Sequence, residues 1–298
     1  MKTYFSFLLI FVFKICPAQT TYLDKVTKTT KKTYTYKKTK EYKLKLDFYK
    51  PRKLKGEVPL VIYVHGGGFS GGKRNDKNTI NFATNLAERG YAVASISYRL
   101  TMQKLGFGCA TNFKDKINAF NFASEDISYA VKFILDNKKK FNIDSKKIIL
   151  VGTSAGAEAI LNLVYVYNNK ILARNFKFAG VISMAGAIVS TENITLKNAI
   201  PTQLFHGTKD KLVPYNIAPH HYCNKKDKGY LMLYGSKAIS EKLNSLKKPF
   251  YLYTIKDGDH SWSGRPMQEC TEEIIDFLYY DVLKNNKRQI SFIKKSET

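Results

Sequence analysis

Short runs of apolar residues alternate along this chain with stretches whose apolar residues recur every three or four positions. The first pattern is typical of buried strands and the second of amphipathic helices. Apolar and polar residues alternate from Tyr42 to Tyr49, which predicts a half-buried strand that ends before Pro51. Continuous apolar runs rich in β-branched residues predict further strands at 60–64, 91–98, 147–151, 178–184, 202–205 and 250–255.

Helical periodicity lies between these runs. It predicts helices at 80–87 before Gly90, at 127–135 before a group of lysines, at 155–167 and at 271–283. Strands that alternate with helices predict an α/β fold with a mainly parallel central sheet and helices on both faces. Two stretches, 101–121 and 214–235, show no clear period and are predicted to be loops or a lid above the sheet.

The N-terminus has the pattern of a secretory signal peptide. Lys2 precedes an apolar run at 4–13, and Cys16 and Ala18 offer small residues at a cleavage site before Gln19. The run is too short to span a membrane. Export to the periplasm or the medium is therefore predicted, with lipidation of Cys16 as the alternative.

The remaining chain is predicted to hold one domain. Residues 19–40 are rich in Thr, Lys and Tyr and predict a loose lead-in, residues 41–284 form the α/β domain, and residues 285–298 form a C-terminal tail. No internal repeat or interdomain linker is visible in the sequence.

Cysteine usage agrees with an oxidising compartment. Removal of the signal peptide leaves Cys109, Cys223 and Cys270, which allow one disulfide and one unpaired thiol. Cys109 and Cys223 both lie in Gly-, Asn- and Lys-rich loop sequence, so we favour that pair. No Cys-x-x-Cys motif or Cys/His ligand spacing occurs, and no zinc site is predicted.

The charge is unusual, because 49 Lys and Arg against 24 Asp and Glu in 298 residues give a net charge of +25. The signal peptide carries two of the lysines and no acid, so the exported chain keeps +23. Lysines far outnumber arginines and are spread in small groups, whereas a nucleic-acid tail would concentrate them. The charge therefore indicates a solvated surface, and no nucleic-acid partner is predicted.

One motif indicates nucleophilic catalysis. The strand at 147–151 runs into Gly152-Thr153-Ser154-Ala155-Gly156 and then into a helix. Gly-x-Ser-x-Gly between a strand and a helix is a nucleophile elbow, in which the two glycines allow a sharp turn that presents the serine hydroxyl. Ser154 is the predicted nucleophile.

A serine nucleophile needs a base and an acid that orients the base. His260 follows the last predicted strand and Asp210 follows the preceding one. Active sites of open parallel sheets collect at these carboxyl ends. The order Ser154, Asp210, His260 is that of α/β-hydrolases. Asp257 and Asp259 are too close to His260 along the chain to orient its ring easily.

The other histidines receive structural or surface roles. His206 ends a predicted strand and is expected to bond nearby backbone. His220 and His221 lie in the predicted lid, where they could line a pocket but are expected at the surface.

The loop after the strand at 60–64 reads His-Gly-Gly-Gly-Phe. Its glycines leave backbone N–H groups uncovered, so Gly67 and Gly68, with the N–H of Ala155, are the predicted oxyanion hole. The same loop matches the dinucleotide fingerprint Gly-x-Gly-x-x-Gly through Gly71, but the next strand ends in Tyr98-Arg99 rather than in an acidic residue. A nucleotide is therefore not predicted.

These motifs together resemble the α/β-hydrolase fold, and within it the secreted esterases and lipases with an HGGG loop. The elbow and the segment from His206 to Pro214 are more similar to the feruloyl-esterase-like type, whereas the hormone-sensitive-lipase branch usually has Asp where this chain has Thr153. The resemblance covers residues 42–283. It implies ester hydrolysis by a Ser-Asp-His triad, with no metal or organic cofactor, on small esters or esters linked to polysaccharides.

Two other functions remain open. A serine peptidase of the same fold is one, although the N-terminal segment is too short for the propeller of the prolyl-oligopeptidase kind. A catalytically silent binding protein is the other, which the intact set of serine, aspartate, histidine and glycines disfavours. No stable insertion in a membrane is predicted after signal cleavage, and the sequence does not indicate an oligomeric state.

Overall fold

The computed structural model describes residues 20–52 and 54–295, so the predicted signal peptide at 1–18 lies outside the described residues. The strands are β1 (Thr29–Lys38), β2 (Lys43–Pro51), β3 (Val58–Val64), β4 (Ala92–Ile96), β5 (Ile143–Thr153), β6 (Gly180–Met184), β7 (Ala187–Ile188), β8 (Thr202–Gly207), β9 (Ile217–Pro219), β10 (Met232–Gly235), β11 (Phe250–Lys256) and β12 (Gln289–Lys295). The helices are α1 (Lys77–Glu88), α2 (Phe113–Asp136), α3 (Lys138–Phe141), α4 (Ala155–Tyr165), α5 (Ser236–Ser245), α6 (Pro266–Glu269) and α7 (Thr271–Asp276), and α7 continues as a π-helical stretch, Phe277–Leu283. Short 3₁₀ helices occur at Thr191–Asn193, His220–Tyr222 and His260–Ser263.

The centre of the molecule is a nine-stranded sheet in the order β1-β2-β4-β3-β5-β6-β8-β11-β12. The β1–β2 and β2–β4 pairs are antiparallel, and the remaining pairs are parallel. This confirms the predicted mainly parallel sheet. The carboxyl ends of β3, β5, β8 and β11 lie on one edge, and the loops that follow them carry the predicted site residues.

Helices cover both faces of the sheet, as predicted. On one face Leu60 and Ile62 of β3 belong to the core that includes α2, α4 and α5. On the other face Val61 and Tyr63 belong to the core that includes α1 and α7. Because both sides of β3 are buried, its sequence is continuously apolar instead of alternating.

The segment predicted to be a loose lead-in contains an edge strand. β1 pairs with β2 over almost its whole length. Tyr36 is buried, and the ring of Tyr34 packs edge-on against Phe141 with ring centroids 5.1 Å apart. The strand was not predicted because its exposed face consists of Thr and Lys, the polar residues that a sheet edge tolerates.

The predicted C-terminal tail also joins the sheet. β12 pairs in parallel with β11, and Phe292 packs against Tyr253 with ring centroids 4.8 Å apart. Its side chains are largely exposed, which hides the strand from a hydrophobicity pattern. The sheet therefore extends beyond both predicted limits of the domain at 41 and 284.

The two predicted lid stretches are more ordered than expected. Residues 113–121 form the first turns of α2, which begins after Asn112, whose side chain accepts a hydrogen bond from the Lys114 N–H. Residues 214–235 contain β9 and β10, which form a small three-stranded sheet with β7. Helix α5, which follows β10 directly, was not predicted.

A disulfide joins these two stretches. Cys109 and Cys223 are bonded, with their Cα atoms 5.3 Å apart, and Cys270 is a buried free thiol. The predicted pairing is therefore confirmed. In the part of the chain that the structure describes, no helix has both the length and the hydropathy to cross a membrane.

Candidate active site

Ser154 occupies a strained turn between β5 and α4. Its backbone has φ 50° and ψ −121°, which lies outside the regions that side-chain-bearing residues normally adopt. A Cβ at Gly152 would lie 2.5 Å from the carbonyl oxygen of Gly156, and a Cβ at Gly156 would lie 2.1 Å from the carbonyl oxygen of Val64. Only glycine fits at both positions, which explains the spacing of the motif around the serine.

The three predicted triad residues meet at the carboxyl edge of the sheet. The Ser154 hydroxyl donates to His260 Nε2 at 2.9 Å, and His260 Nδ1 donates to Asp210 Oδ2 at 2.7 Å. Asp210 is buried, whereas the His260 side chain is 22% exposed. His260 can therefore be reached from a cavity, whereas Asp210 cannot.

The surroundings of Asp210 favour the ionised carboxylate. Its Oδ1 accepts hydrogen bonds from the backbone N–H groups of Leu212 and Val213, at 2.8 and 3.0 Å. Burial alone would raise the pKa of Asp210, but hydrogen bonds with His206 and His260 hold it well below its usual range. A carboxylate is therefore present to fix the tautomer of His260.

His206 has the structural role that the sequence predicts. Its Nε2 donates to the carbonyl oxygen of Val213 at 3.1 Å, and its Nδ1 accepts from the Ser236 hydroxyl at 2.9 Å. The same Nε2 lies 3.4 Å from Asp210 Oδ2, so this buried ring also helps to place the carboxylate.

The two aspartates nearest to His260 in sequence are engaged elsewhere. Asp257 pairs with Lys209 at 3.0 Å, and Asp259 accepts from the backbone N–H of Ser261 at 3.0 Å. Neither takes the place of Asp210 in the hydrogen-bond chain.

The glycine loop after β3 lies beside the serine. Gly67 and Gly68 have φ values of 113° and 57°, and they line one cavity with Ser154 and Ala155. Within the described ranges, no group accepts a hydrogen bond from the N–H of Gly67, Gly68 or Ala155. Three backbone donors thus belong to residues that line the same cavity as Ser154, at the positions predicted for the oxyanion hole.

His65 and Tyr98 hold this loop. His65 Nδ1 donates to the Gly66 carbonyl oxygen at 2.7 Å. The ring of His65 stacks on that of Tyr98, with centroids 4.5 Å apart, and the Tyr98 hydroxyl donates to the His65 carbonyl oxygen at 2.8 Å. Burial lowers the pKa of His65, so the ring stays neutral. Arg99, which follows β4, is bound to Asp126 at 2.7 Å.

Ser154 and His260 line a cavity of about 480 Å³, a volume typical of sites for small ligands. The lining residues are Gly66, Gly67, Gly68, Ser70, Phe107, Thr153, Ser154, Ala155, Glu158, Leu212, Val213, His220, His221, His260, Ser263 and Gly264. A larger surface groove of about 840 Å³, around Leu163 and Lys170, contains no triad residue and lies outside the site.

Two lining residues were missed or misjudged from sequence. Glu158 is buried in the first turn of α4, and His220, which was expected at the surface, is 1% exposed. A glutamate inside the apolar sequence of α4 was a usable signal. The burial of His220 was not readable, because it depends on the disulfide and on the pairing of β9 with β10.

One group of potential metal ligands occurs in the described residues, Cys109, Cys223 and Asp227. The two sulfurs are joined to each other, so they are not free thiolates for a metal ion.

The chain is similar to known esterases and lipases. The BD-FAE family model matches residues 46–188, which include the glycine loop and the elbow. Over 121 residues the chain is 33% identical to Fumonisin B1 esterase of Sphingopyxis macrogoltabida (39% of this chain, 22% of the relative). Over 147 residues it is 29% identical to Secreted lipase 5 of Gibberella zeae (49% of this chain, 26% of the relative). The matched part thus spans about a quarter of the length of these curated relatives.

A solved structure shows the same fold. The butyrate-bound esterase Est2 of Thermogutta terrifontis superposes with a TM-score of 0.62 at 16% sequence identity, covering 86% of this chain and 94% of that one. The fold, the family match and the relatives confirm the resemblance that the motifs predict. The chain therefore has the α/β-hydrolase fold and is similar to esterases of that fold.

Proposed function

We propose that this chain hydrolyses carboxylic esters with Ser154 as the nucleophile. The observation that carries the proposal is the unbroken hydrogen-bond chain from Ser154 Oγ through the ring of His260 to Asp210, with distances of 2.9 and 2.7 Å, at the wall of a ligand-sized cavity. The esterase relatives support the same class of reaction.

Acylation begins with the Ser154 hydroxyl. His260 Nε2 takes its proton while Oγ attacks the acyl carbonyl carbon. The imidazolium that forms is stabilised by the Asp210 carboxylate, which keeps its negative charge. His260 then protonates the leaving alcohol, and an acyl group remains on Ser154.

The negative charge on the carbonyl oxygen needs donors that are already in place. No described residue accepts a hydrogen bond from the N–H of Gly67, Gly68 or Ala155, and these three residues line one cavity with Ser154. Ala155 is also the first residue of α4, where the helix dipole favours negative charge. Each donor of this kind is worth roughly 3–4 kcal/mol of transition-state stabilisation.

Deacylation uses the same groups with water. His260 takes a proton from a water molecule that attacks the acyl carbon, and then returns the proton to Ser154 Oγ as the acid leaves. The cycle uses only side chains and backbone donors of this chain, so the proposal requires no metal or organic cofactor.

The cavity indicates the size of the substrate. Its volume of about 480 Å³ holds a short acyl group and part of the alcohol, between the apolar walls of Phe107 and Leu212. Small esters, or ester groups carried by a polysaccharide outside the cavity, are the substrates that we propose. We also propose export, which the Cys109–Cys223 disulfide and the name of the secreted fungal lipase support.

The substrate class is tested with a panel. Acetyl, butyryl, long-chain and feruloyl aryl esters and aminoacyl anilides are compared for the wild type and Ser154→Ala. We expect acetyl and butyryl esters to be hydrolysed fastest, and anilides slowly or not at all. Anilides that are cleaved faster than every ester would show a peptidase instead. Equal rates for the two proteins on all substrates would show a silent scaffold.

A further inference from the structure

The wall of the active-site cavity contains two buried polar side chains that the proposed reaction does not use. Glu158 lies one helical turn after Ser154 and is 2% exposed, and His220 lies between β9 and β10 and is 1% exposed. Both line the cavity that contains Ser154. They come from distant parts of the chain and face each other there, with Glu158 Oε1 3.4 Å from His220 Nε2.

These side chains have unused hydrogen-bonding capacity. In the described ranges, neither Glu158 Oε1 nor His220 Nδ1 has a hydrogen-bond partner. A buried polar atom without a partner costs about 1–3 kcal/mol, and such atoms in native proteins call for an explanation. Most other buried residues of α4 are apolar, including Ile160 and Leu161, and the buried Asn162 donates to Asn121 and Ser124. An apolar side chain at position 158 would avoid the cost, so a ligand that enters the cavity is the natural partner.

Burial favours the uncharged form of both side chains. Burial raises the pKa of Glu158 well above its usual range, the negative charge of Asp210 raises it further, and Lys116 opposes the shift. Burial lowers the pKa of His220 well below its usual range, and His221 and Lys116 add to this effect. A neutral carboxylic acid beside a neutral imidazole offers both donors and acceptors. It suits an uncharged group that also donates and accepts, which is the chemistry of a hydroxyl.

The pair is also held rigidly. The ring of His220 packs edge-on against Phe107, with centroids 4.9 Å apart, and its backbone N–H donates to the carbonyl oxygen of Leu231 at 2.8 Å. Glu158 is fixed by α4, whose Glu158 N–H donates to the Ser154 carbonyl oxygen at 2.9 Å. A subsite in this position would have a fixed distance from the nucleophile.

We propose that Glu158 and His220 form a subsite that binds a hydroxyl group of the substrate, so that the preferred esters carry a hydroxyl on the acyl or the alcohol part. The hydroxyl donates to one of the unpartnered atoms of the pair and accepts from the carboxyl O–H or the imidazole N–H. This assignment rests on the proposed ester hydrolysis at Ser154.

The experiment compares matched esters. The acyl arm compares kcat/KM for p-nitrophenyl 3-hydroxybutyrate with that for p-nitrophenyl butyrate. The alcohol arm compares kcat/KM for glycerol monobutyrate with that for propyl butyrate. We expect the wild type to prefer the hydroxylated ester in one arm by about tenfold or more in kcat/KM. Glu158→Leu lowers this ratio towards one, whereas Glu158→Gln, which keeps a donor and an acceptor, retains most of it. The exposed Glu57→Gln, a matched control, leaves the ratio unchanged.

Two outcomes overturn the subsite, namely a wild-type ratio near one in both arms, or an unchanged ratio in Glu158→Leu. His220→Phe gives the same test if Glu158→Leu does not fold. Failure of the proposed function is distinct, because then no ester is hydrolysed faster than by Ser154→Ala. In that case the subsite is tested by calorimetry, which measures how tightly Ser154→Ala binds each ester of the alcohol arm. Tighter binding of glycerol monobutyrate than of propyl butyrate supports the subsite, and equal binding overturns it.

Discussion

The carboxylate of Asp210 accepts a hydrogen bond of 2.7 Å from Nδ1 of His260, although 50 residues separate the two along the chain. The contact exists because β8 and β11 are parallel neighbours, so the loops that follow them leave the sheet at the same edge. The opposite nitrogen of the same ring accepts the proton of Ser154. One imidazole thus links an ionised, buried acid to a serine at the cavity wall.

Asp210→Asn should lower kcat by about 10⁴-fold. The amide can still accept from Leu212 and Val213, so the fold should persist, but the ring of His260 loses the charge that stabilises its protonated form. Steady-state kinetics on p-nitrophenyl butyrate measures the effect. The matched control is Asp257→Asn, which removes an ion pair with Lys209 at the surface and should change kcat less than twofold. A near-normal kcat for Asp210→Asn would remove Asp210 from the triad.

Gly156→Ala should prevent folding or lower the free energy of unfolding by more than about 3 kcal/mol. The new Cβ would lie 2.1 Å from the Val64 carbonyl oxygen, which cannot move without breaking the β3–β5 pairing. Urea denaturation measures the loss. Gly108→Ala is the control, because no atom lies within 4 Å of its Cβ position. Equal stability of the two variants would contradict the described elbow.

Loss of the disulfide should cost both stability and substrate binding. The bond closes a loop with a sequence separation of 114, for which chain entropy predicts roughly 4–5 kcal/mol. Phe107 and His221 line the cavity two residues from each half-cystine, so the Cys109→Ser, Cys223→Ser double variant should also show a raised KM. Thiol counting on the denatured chain from residue 20 onward should find one thiol, that of Cys270. Three thiols would mean that the bridge does not form.

Glu158→Gln should change how stability depends on pH. The folded-state pKa of Glu158 is raised, so its stabilising protonated form is lost, and stability falls, as pH rises from about 4.5 through the folded pKa. Glutamine has no proton to lose. The Tm of the variant relative to the wild type should therefore rise as the pH increases above about 4.5, whereas Glu57→Gln should show no such trend. A Tm difference that does not vary with pH would mean that Glu158 titrates normally.

The central part of the fold and the meeting of Ser154, Asp210 and His260 could be predicted from sequence because their signals are local. β3 and β5 are buried on both faces and read as apolar runs, and Ser154, Asp210 and His260 each follow such a run. In a parallel sheet, that position alone brings the three residues to one edge.

The edge strands β1 and β12 and the burial of His220 in the cavity wall could not be predicted, because they leave no local signal in the sequence. β1 and β12 expose most of their side chains, so these strands can form with polar residues and need no apolar pattern. His220 lies between β9 and β10, which pair with each other, and a disulfide joins the adjoining segment to residue 109. Such contacts depend on the assembled structure and leave no periodic pattern.

The most direct test of the account is covalent trapping of the nucleophile. The chain is treated with an alkyl fluorophosphonate, and the modified residue is located by peptide mass spectrometry. We expect stoichiometric labelling of Ser154, labelling slowed by at least about 10³-fold in His260→Ala, and no label at this peptide in Ser154→Ala. An unlabelled Ser154, or a Ser154 that is labelled equally fast without His260, would contradict the claim that this triad activates the serine.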